Sequence, residues 1–262
     1  AENLPPEVET AADVAGMVAV RGIGEALRAL EAAAWWGGRR TRPPLLEAEP
    51  FDPKDLRTLY EVEARGLLEA AGVPVPLGLV VPAVDAVEAC GSLTGRVVVK
   101  ATGMAHKTEA GRVALGLAGA AEVGAALAGM GLADDAPVLV EEFVDDAVVE
   151  LLVSVRREPP VGWLLTLGIG GTLVELLGDT TSLLLPVDAD EVLAALRGLA
   201  GWPLIEGHRG NPPADLDALV ATIVGIVGVV EVRPDLVELE CNPVLARPVG
   251  AITVDALAIV VD

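Results

Sequence analysis

The chain has 262 residues, 52% of them apolar and only 3% aromatic, which excludes disorder and requires an aliphatic core. A formal net charge of −21 argues against nucleic acid as a partner, because phosphate-backbone binding relies on a surplus of Lys and Arg. A small nucleotide stays open, since a few cations, backbone N–H groups and Mg²⁺ suffice to hold its phosphates.

In chain order, "GIGEALRALEAAAWW" reads as an amphipathic helix with Leu27, Leu30 and Ala34 at helical spacing. The Gly-, Pro- and Arg-rich "GGRRTRPPLLEAEP" reads as a linker. Asp52 is then an N-cap with Pro53 at the first helical position, predicting a helix that runs to Gly72. Next come a strand at "LGLVVP", a helix at "AVDAVEACGSL", strands at "RVVVK" and "RVALGL", a helix at "AAEVGAALAGM" and a strand at "PVLVEEFV". "VVELLVSVRR" and "WLLTLGIGG", joined by "EPPVG", predict an antiparallel hairpin. Helices follow near 188–200 and 213–228, and two strands, "LVELECNPVL" and "GAITVDALAIV", close the chain. Hairpins mixed with crossovers favour an α+β fold over a doubly wound parallel sheet.

No apolar run approaches the ~18 residues of a membrane span, so no membrane partner is expected. No basic-then-apolar secretory profile is visible. Cys90 and Cys241 offer neither metal-ligand spacing nor a disulfide framework, which fits a reducing cytoplasm.

Several groups carry chemistry on one reading and none on another. Glu240 and Asn242 in "ELECNP" share a strand face, and Asp255 on the return strand can come beside them. Two carboxylates and an amide oxygen suit Mg²⁺, or are simply solvated side chains on an exposed face. Gly168, Gly170 and Gly171 in "GIGG" let backbone N–H groups converge on a phosphate, or make a plain turn. Lys100 ends "VVVK" either as a cation for phosphates or as a snorkelling lysine at a strand end. Glu141, Glu142 and Glu150 are hydrogen-bond acceptors for a nucleoside, or surface charges. His106 is one of two histidines. Beside Lys107 in a Gly-rich stretch, it is either a loop residue or a nucleophile for a phosphoryl group. The other, His208, sits in a polar turn and reads as structural.

Taken in order, "EARGLLEAAGVPVP", "VVVK", "HKTEAGRVALGL", "VLVEEFV", Glu150, "GIGGTLVELLGD", "GHRGNPPADLDAL" and "ELECNPVL…VDA" resemble the ATP-grasp domain of the NDP-forming acyl-CoA synthetases. That ADP-forming acetyl-CoA synthetase family is related to the succinyl-CoA synthetase β subunit. The resemblance implies an ATP-grasp fold of two lobes, roughly 55–138 and 139–262, within a domain spanning 55–262. Residues 41–54 would be a linker, and residues 1–40 the helical tail of a preceding CoA-ligase-like domain. It further implies ATP/ADP and Mg²⁺ as cofactors, with Lys100 on phosphate, Glu141 and Glu142 at the adenine hinge and Glu150 at the ribose. Asn242 and Asp255 would hold the metal with Glu240 close by, and His106 would carry the phosphoryl group. A CoA-binding or CoA-ligase partner, in cis or in trans, would supply the remaining site for a carboxylic acid substrate. A homo-oligomer stays open.

The chain departs from the family pattern at Arg112, Glu158, Val161 and Leu183. The expected activity is the phosphoryl-transfer part of an acid–CoA ligase. The alternatives are an ATP-grasp carboxylate–amine ligase and a catalytically silent nucleotide sensor.

Overall fold

The computed structural model describes residues 5–15, 17–20, 22–37, 44–103, 111–170 and 178–262. The chain divides into two compact units, residues 1–44 and 45–262. In the first, helices α1 (Pro6–Val14) and α2 (Ile23–Gly37) form, and Leu27 and Leu30 of α2 are exposed.

The second unit is built on two antiparallel sheets. The smaller takes β2 (Gly78–Pro82), β5 (Pro137–Glu142), β3 (Val97–Ala101) and β4 (Val113–Leu117), in that spatial order. Helices α4 (Ala86–Cys90) and α5 (Ala120–Met130) accompany it. Val97, Val99, Val138 and Val140 join Val123 and Met130 in its aliphatic core. β3 is buried on both faces, and for that reason it reads as a continuous apolar run without alternation.

The larger sheet has seven strands. Its order is β1 (Leu56–Leu59), β11 (Ala256–Val261), β9 (Leu236–Ala246), β6 (Val149–Glu158), β7 (Gly162–Ile169) and β8 (Thr180–Leu184), with β10 (Ala251–Thr253) also pairing β9. Its core face packs with α3 (Glu61–Ala70), α6 (Ala189–Arg197) and α8 (Leu216–Val232), burying Leu68, Leu151, Leu167, Leu196, Leu219 and Ile226 among others. The short helix α7 (Trp202–Ile205) follows α6. The expected hairpin is β6–β7, which pair from Leu151–Ile169 to Glu158–Gly162. Among the described residues, no helix is long and apolar enough to cross a membrane.

Four expectations are corrected. The single helix from Asp52 to Gly72 is instead a 3₁₀ turn, a strand and a helix. Asp52 caps only the turn, accepting from the Lys54 N–H at 2.9 Å. Residues 56–59 then leave helical geometry because pairing with β11, at the edge of the larger sheet, satisfies their backbone and buries Leu59, which outweighs local propensity. Gly72 does end α3, at φ 72°, with its N–H on Glu69 O and that of Val73 on Leu68 O.

The expected 41–54 linker is packed chain in its second half. The Leu46 N–H bonds Leu185 O, and the buried Arg157 reaches Glu49 O and stacks toward Phe51. The lobe division also shifts. β1 belongs to the larger sheet although it precedes the smaller one, and β5 continues to Glu142, past the expected break at 138.

Finally, the last expected strand breaks at Val254–Asp255, because β10 and β11 pair with different segments of β9. Between those segments β9 carries a bulge. Leu151 faces Val244 while Val153 faces Cys241, so Asn242 and Pro243 together oppose Leu152. Pro243 has no N–H for the ladder there, and bulges of this kind re-aim side chains.

Candidate functional site

The two sheets meet in a seam of buried charges. Lys100 on β3 and Glu141 on β5 are diagonal neighbours on one face of the smaller sheet, since Lys100 pairs with Leu139 and Glu141 with Val98. Both are buried, at 6% and 2% exposure. Lys100 Nζ lies 2.7 Å from Glu141 Oε1 and 2.5 Å from Oε1 of Glu61, the first residue of α3. It also donates to Val254 O at 2.5 Å. An ammonium has three donors, and all three have acceptors here. Arg65, one helical turn after Glu61, donates through Nη1 to Glu141 Oε2 at 2.9 Å and through Nη2 to Pro76 O. Two cations and two carboxylates thus neutralise one another, as buried charges must.

Gly78 of β2 stands opposite Glu141, and a Cβ there would lie 2.7 Å from Glu141 Cβ. The bare backbone at Gly78 therefore makes room for the glutamate.

Lys100 brings the smaller sheet to the turn that holds Asp255. The Asn242 N–H bonds Asp255 O at 3.1 Å, so the bulge on β9 and the break between β10 and β11 lie side by side. Asn242 is exposed, while Glu240 and Asp255 are half-buried. Glu240 shares its row across the larger sheet with Ser154, Thr166 and Ser182, all on the face away from the core. Burial pushes the Cys241 thiol well above its usual range, and the negative charges of Glu240 and Asp255 add to the effect. Cys241 is therefore an inert core thiol that registers both carboxylates nearby. Burial also raises the Glu238 carboxyl, with Arg156 opposing and Glu240 and Glu158 reinforcing.

The donor set fits magnesium chemistry. Mg²⁺ commonly takes one or two carboxylates and completes its shell with water and substrate phosphate. Among the described residues no three His, Cys, Asp or Glu side chains converge as an all-protein metal cage.

The other candidate residues are placed as follows. Glu142 alternates to the face opposite Glu141, where its Oε1 accepts from Thr94 Oγ1 at 2.6 Å and Thr94 N at 3.3 Å. It is not brought to the seam. Glu150 is exposed on β6, and its carbonyl accepts from the Gly170 N–H at 2.6 Å. A Cβ on Gly170 would lie 2.8 Å from the Glu150 carbonyl carbon, and one on Gly168 would lie 2.8 Å from Thr180 Cγ2. Both glycines answer to close strand packing. Gly171, His106 and Lys107 lie outside the described residues.

At the departures from the family pattern, Arg112 donates to the Met130 carbonyl. Leu183 packs against the larger core, Glu158 pairs with Arg156, and Val161 is exposed.

A family model described as an ATP-grasp domain matches residues 53–260. The chain belongs to the ATP-grasp domain family. This ATP-grasp chain is 32% identical over 197 residues to the ADP-forming acetate–CoA ligase of Methanocaldococcus jannaschii, covering 70% of this chain and 28% of that protein. It is 29% identical over 211 residues to the ADP-forming acetate–CoA ligase I subunit beta of Pyrococcus furiosus, covering 76% of this chain and 90% of that subunit. The chain thus spans less than a third of the first relative and most of the second.

Among solved structures, it resembles the dinucleotide forming acetyl-coenzyme A synthetase 1 of Ca. Korarchaeum cryptofilum. One such structure, in complex with coenzyme A, Ca-AMPCP and HgCl+, gives a TM-score of 0.72 at 25% identity over 89% of this chain and 99% of that one. Another, with coenzyme A and Mg-AMPPCP and its phosphohistidine segment pointing towards the nucleotide binding site, gives 0.68 at 27% identity over the same shares.

Sequence reasoning missed Glu61 and Arg65 as partners of the candidate lysine. The signal was present. Glu61 opens a helix whose buried stripe continues through Ala64 and Leu68, and a carboxylate on a core-facing stripe demands a cation.

Proposed function

We propose that this chain is the nucleotide-binding, phosphoryl-transfer part of an acid–CoA ligase, which converts an acid, CoA and ATP into acyl-CoA, ADP and phosphate. The observation that carries the reading is the contact between Lys100 of the smaller sheet and the carbonyl preceding Asp255 of the larger one. It sets the cation for phosphates next to the oxygen donors for their metal. The names of the relatives, acetate–CoA ligases that form ADP, support the ligase half.

In this reading Asn242 and Asp255 hold Mg²⁺ with Glu240 close by, and the ion when bound neutralises phosphate charge. Lys100 reaches the phosphates from the other side by exchanging one of its three present acceptors, while Glu141 holds its ammonium in place. Glu141 stands at the adenine end, with Glu142 turned to the other strand face, and the exposed Glu150 accepts from the ribose. The glycine run at Gly168, Gly170 and Gly171 offers backbone N–H groups to the phosphates, apart from that of Gly170, which Glu150 O already accepts. A ring nitrogen of His106 takes the γ-phosphoryl group, releasing ADP, and passes it to the carboxylate of the acid. The CoA thiol then displaces phosphate from that acyl phosphate. CoA and the acid reside on a CoA-ligase domain or subunit, joined in cis or in trans. Cys90 and Cys241 are buried free thiols, consistent with a cytoplasmic protein.

The test is labelling by γ-labelled Mg-ATP, comparing wild type with His106→Asn. Acid-labile, base-stable label on wild type alone is the expected result. Binding of ATP without label on either protein would overturn the relay and leave an ATP-grasp clamp of another kind.

A further inference from the structure

The turn that presents Asp255 is held from several directions. The Thr253 N–H bonds Pro74 O at 2.9 Å, the Val254 N–H bonds Pro243 O at 3.2 Å, and Asp255 O accepts from the Asn242 N–H at 3.1 Å. Thr253 Oγ1 is buried, and among the described residues no hydrogen bond reaches it. The side chain of the turn's first residue therefore contributes no tether. The Val254 carbonyl points instead to Lys100 Nζ at 2.5 Å, across the seam. That bond fixes the peptide joining Val254 to Asp255, and with it the direction in which the Asp255 side chain leaves the backbone.

What holds Lys100 in turn is a pair of carboxylates on opposite sides of the seam. Glu141 belongs to the smaller sheet and already shares its second oxygen with Arg65. Glu61 belongs to α3, which packs on the larger sheet beside β11, the strand that follows Asp255. The two carboxylates pull the ammonium in different directions, and the Val254 carbonyl completes the set. With Glu61 neutralised, Nζ keeps its ion pair with Glu141, and the ammonium moves toward the smaller sheet. The bond to Val254 then lengthens or breaks.

We propose that Glu61 is a positioning residue for the metal half of the nucleotide site, acting through Lys100 on the Thr253–Asp255 turn. The inference rests on the nucleotide reading above and extends it to a residue outside the set assigned there to nucleotide and metal.

The experiment measures the affinity of Mg-bound β,γ-methylene-ATP for four forms of the whole chain: wild type, Glu61→Gln, Asp255→Asn and the double variant. Melting curves verify that each is folded. The expected loss on Glu61→Gln is about tenfold, and the double variant binds within about twofold of Asp255→Asn alone. That non-additivity is the readout a merely structural role would not produce. Wild-type-like affinity in Glu61→Gln, or losses that multiply in the double variant, would overturn the proposal while leaving the nucleotide site standing. Absence of analogue binding by the wild type would overturn the nucleotide reading, and the inference with it. Should Glu61→Gln not fold, Glu61→Asp takes its place. The shortened side chain keeps the charge but draws it back from Nζ, and a loss of about threefold that vanishes in the Asp255→Asn background is expected; equal loss in both backgrounds would refute the proposal.

Discussion

The seven-stranded sheet covers one face with α3, α6 and α8 and carries on the other a polar row, Glu240, Ser154, Thr166 and Ser182. The four-stranded sheet covers one face with α4 and α5, but on its two central strands the other face is buried as well, and there it carries Lys100 and Glu141. In the larger sheet, then, aliphatic burial and polar chemistry lie on opposite faces. In the smaller sheet the charges are enclosed, and they depend on partners contributed by α3 and by the turn before β11. Enclosed charges tolerate no loss of a partner, whereas groups on an open face are rescued by water.

Lys100→Met breaks this contrast most severely. It leaves Glu61 and Glu141 facing each other with one cation fewer, and a destabilisation of about 3–5 kcal/mol is expected in chemical denaturation. A change below about 1 kcal/mol would mean that the seam is wetter than its burial implies.

Gly170→Ala tests the larger sheet by backbone contact. Its Cβ would sit 2.8–2.9 Å from the Glu150–Leu151 backbone, so the end of β7 must move off β6. A cost of about 1–3 kcal/mol is expected, read as a lower denaturation midpoint.

The smallest effect belongs to the open face. The folded-state pKa of Glu238 is raised by burial, so its ionised form opposes folding above that pKa and its contribution improves as pH falls. Glu238→Gln should therefore raise the melting temperature slightly at pH 7, and the gain should shrink on acidification. The carboxyls of Asp146 and Asp235 behave oppositely. Each is held below the usual carboxylate range by a hydrogen-bonded arginine, Arg247 and Arg233 respectively. Their stabilisation is present at neutral pH and is lost below about pH 4, as the folded forms protonate. A Glu238→Gln protein less stable than wild type at pH 7 would contradict the sign.

The sequence by itself determined most elements of the second unit, because alternation, helical spacing and turn residues are local properties. The β6–β7 hairpin, the helices at 120–130, 189–197 and 216–232, and the proximity of Asn242 to Asp255 follow from them. The ordered motifs, more than any single residue, also carried the resemblance that the family match then established.

Only the tertiary structure decided which neighbours each residue meets. Residues 56–59 became a strand because β11 offered a free edge. Glu141 and Glu142, adjacent in the chain, parted because successive strand residues face opposite ways. Glu61 found Lys100 across 39 residues of chain. Such pairings depend on three-dimensional packing, where burial and charge neutralisation are settled between groups that no local pattern links.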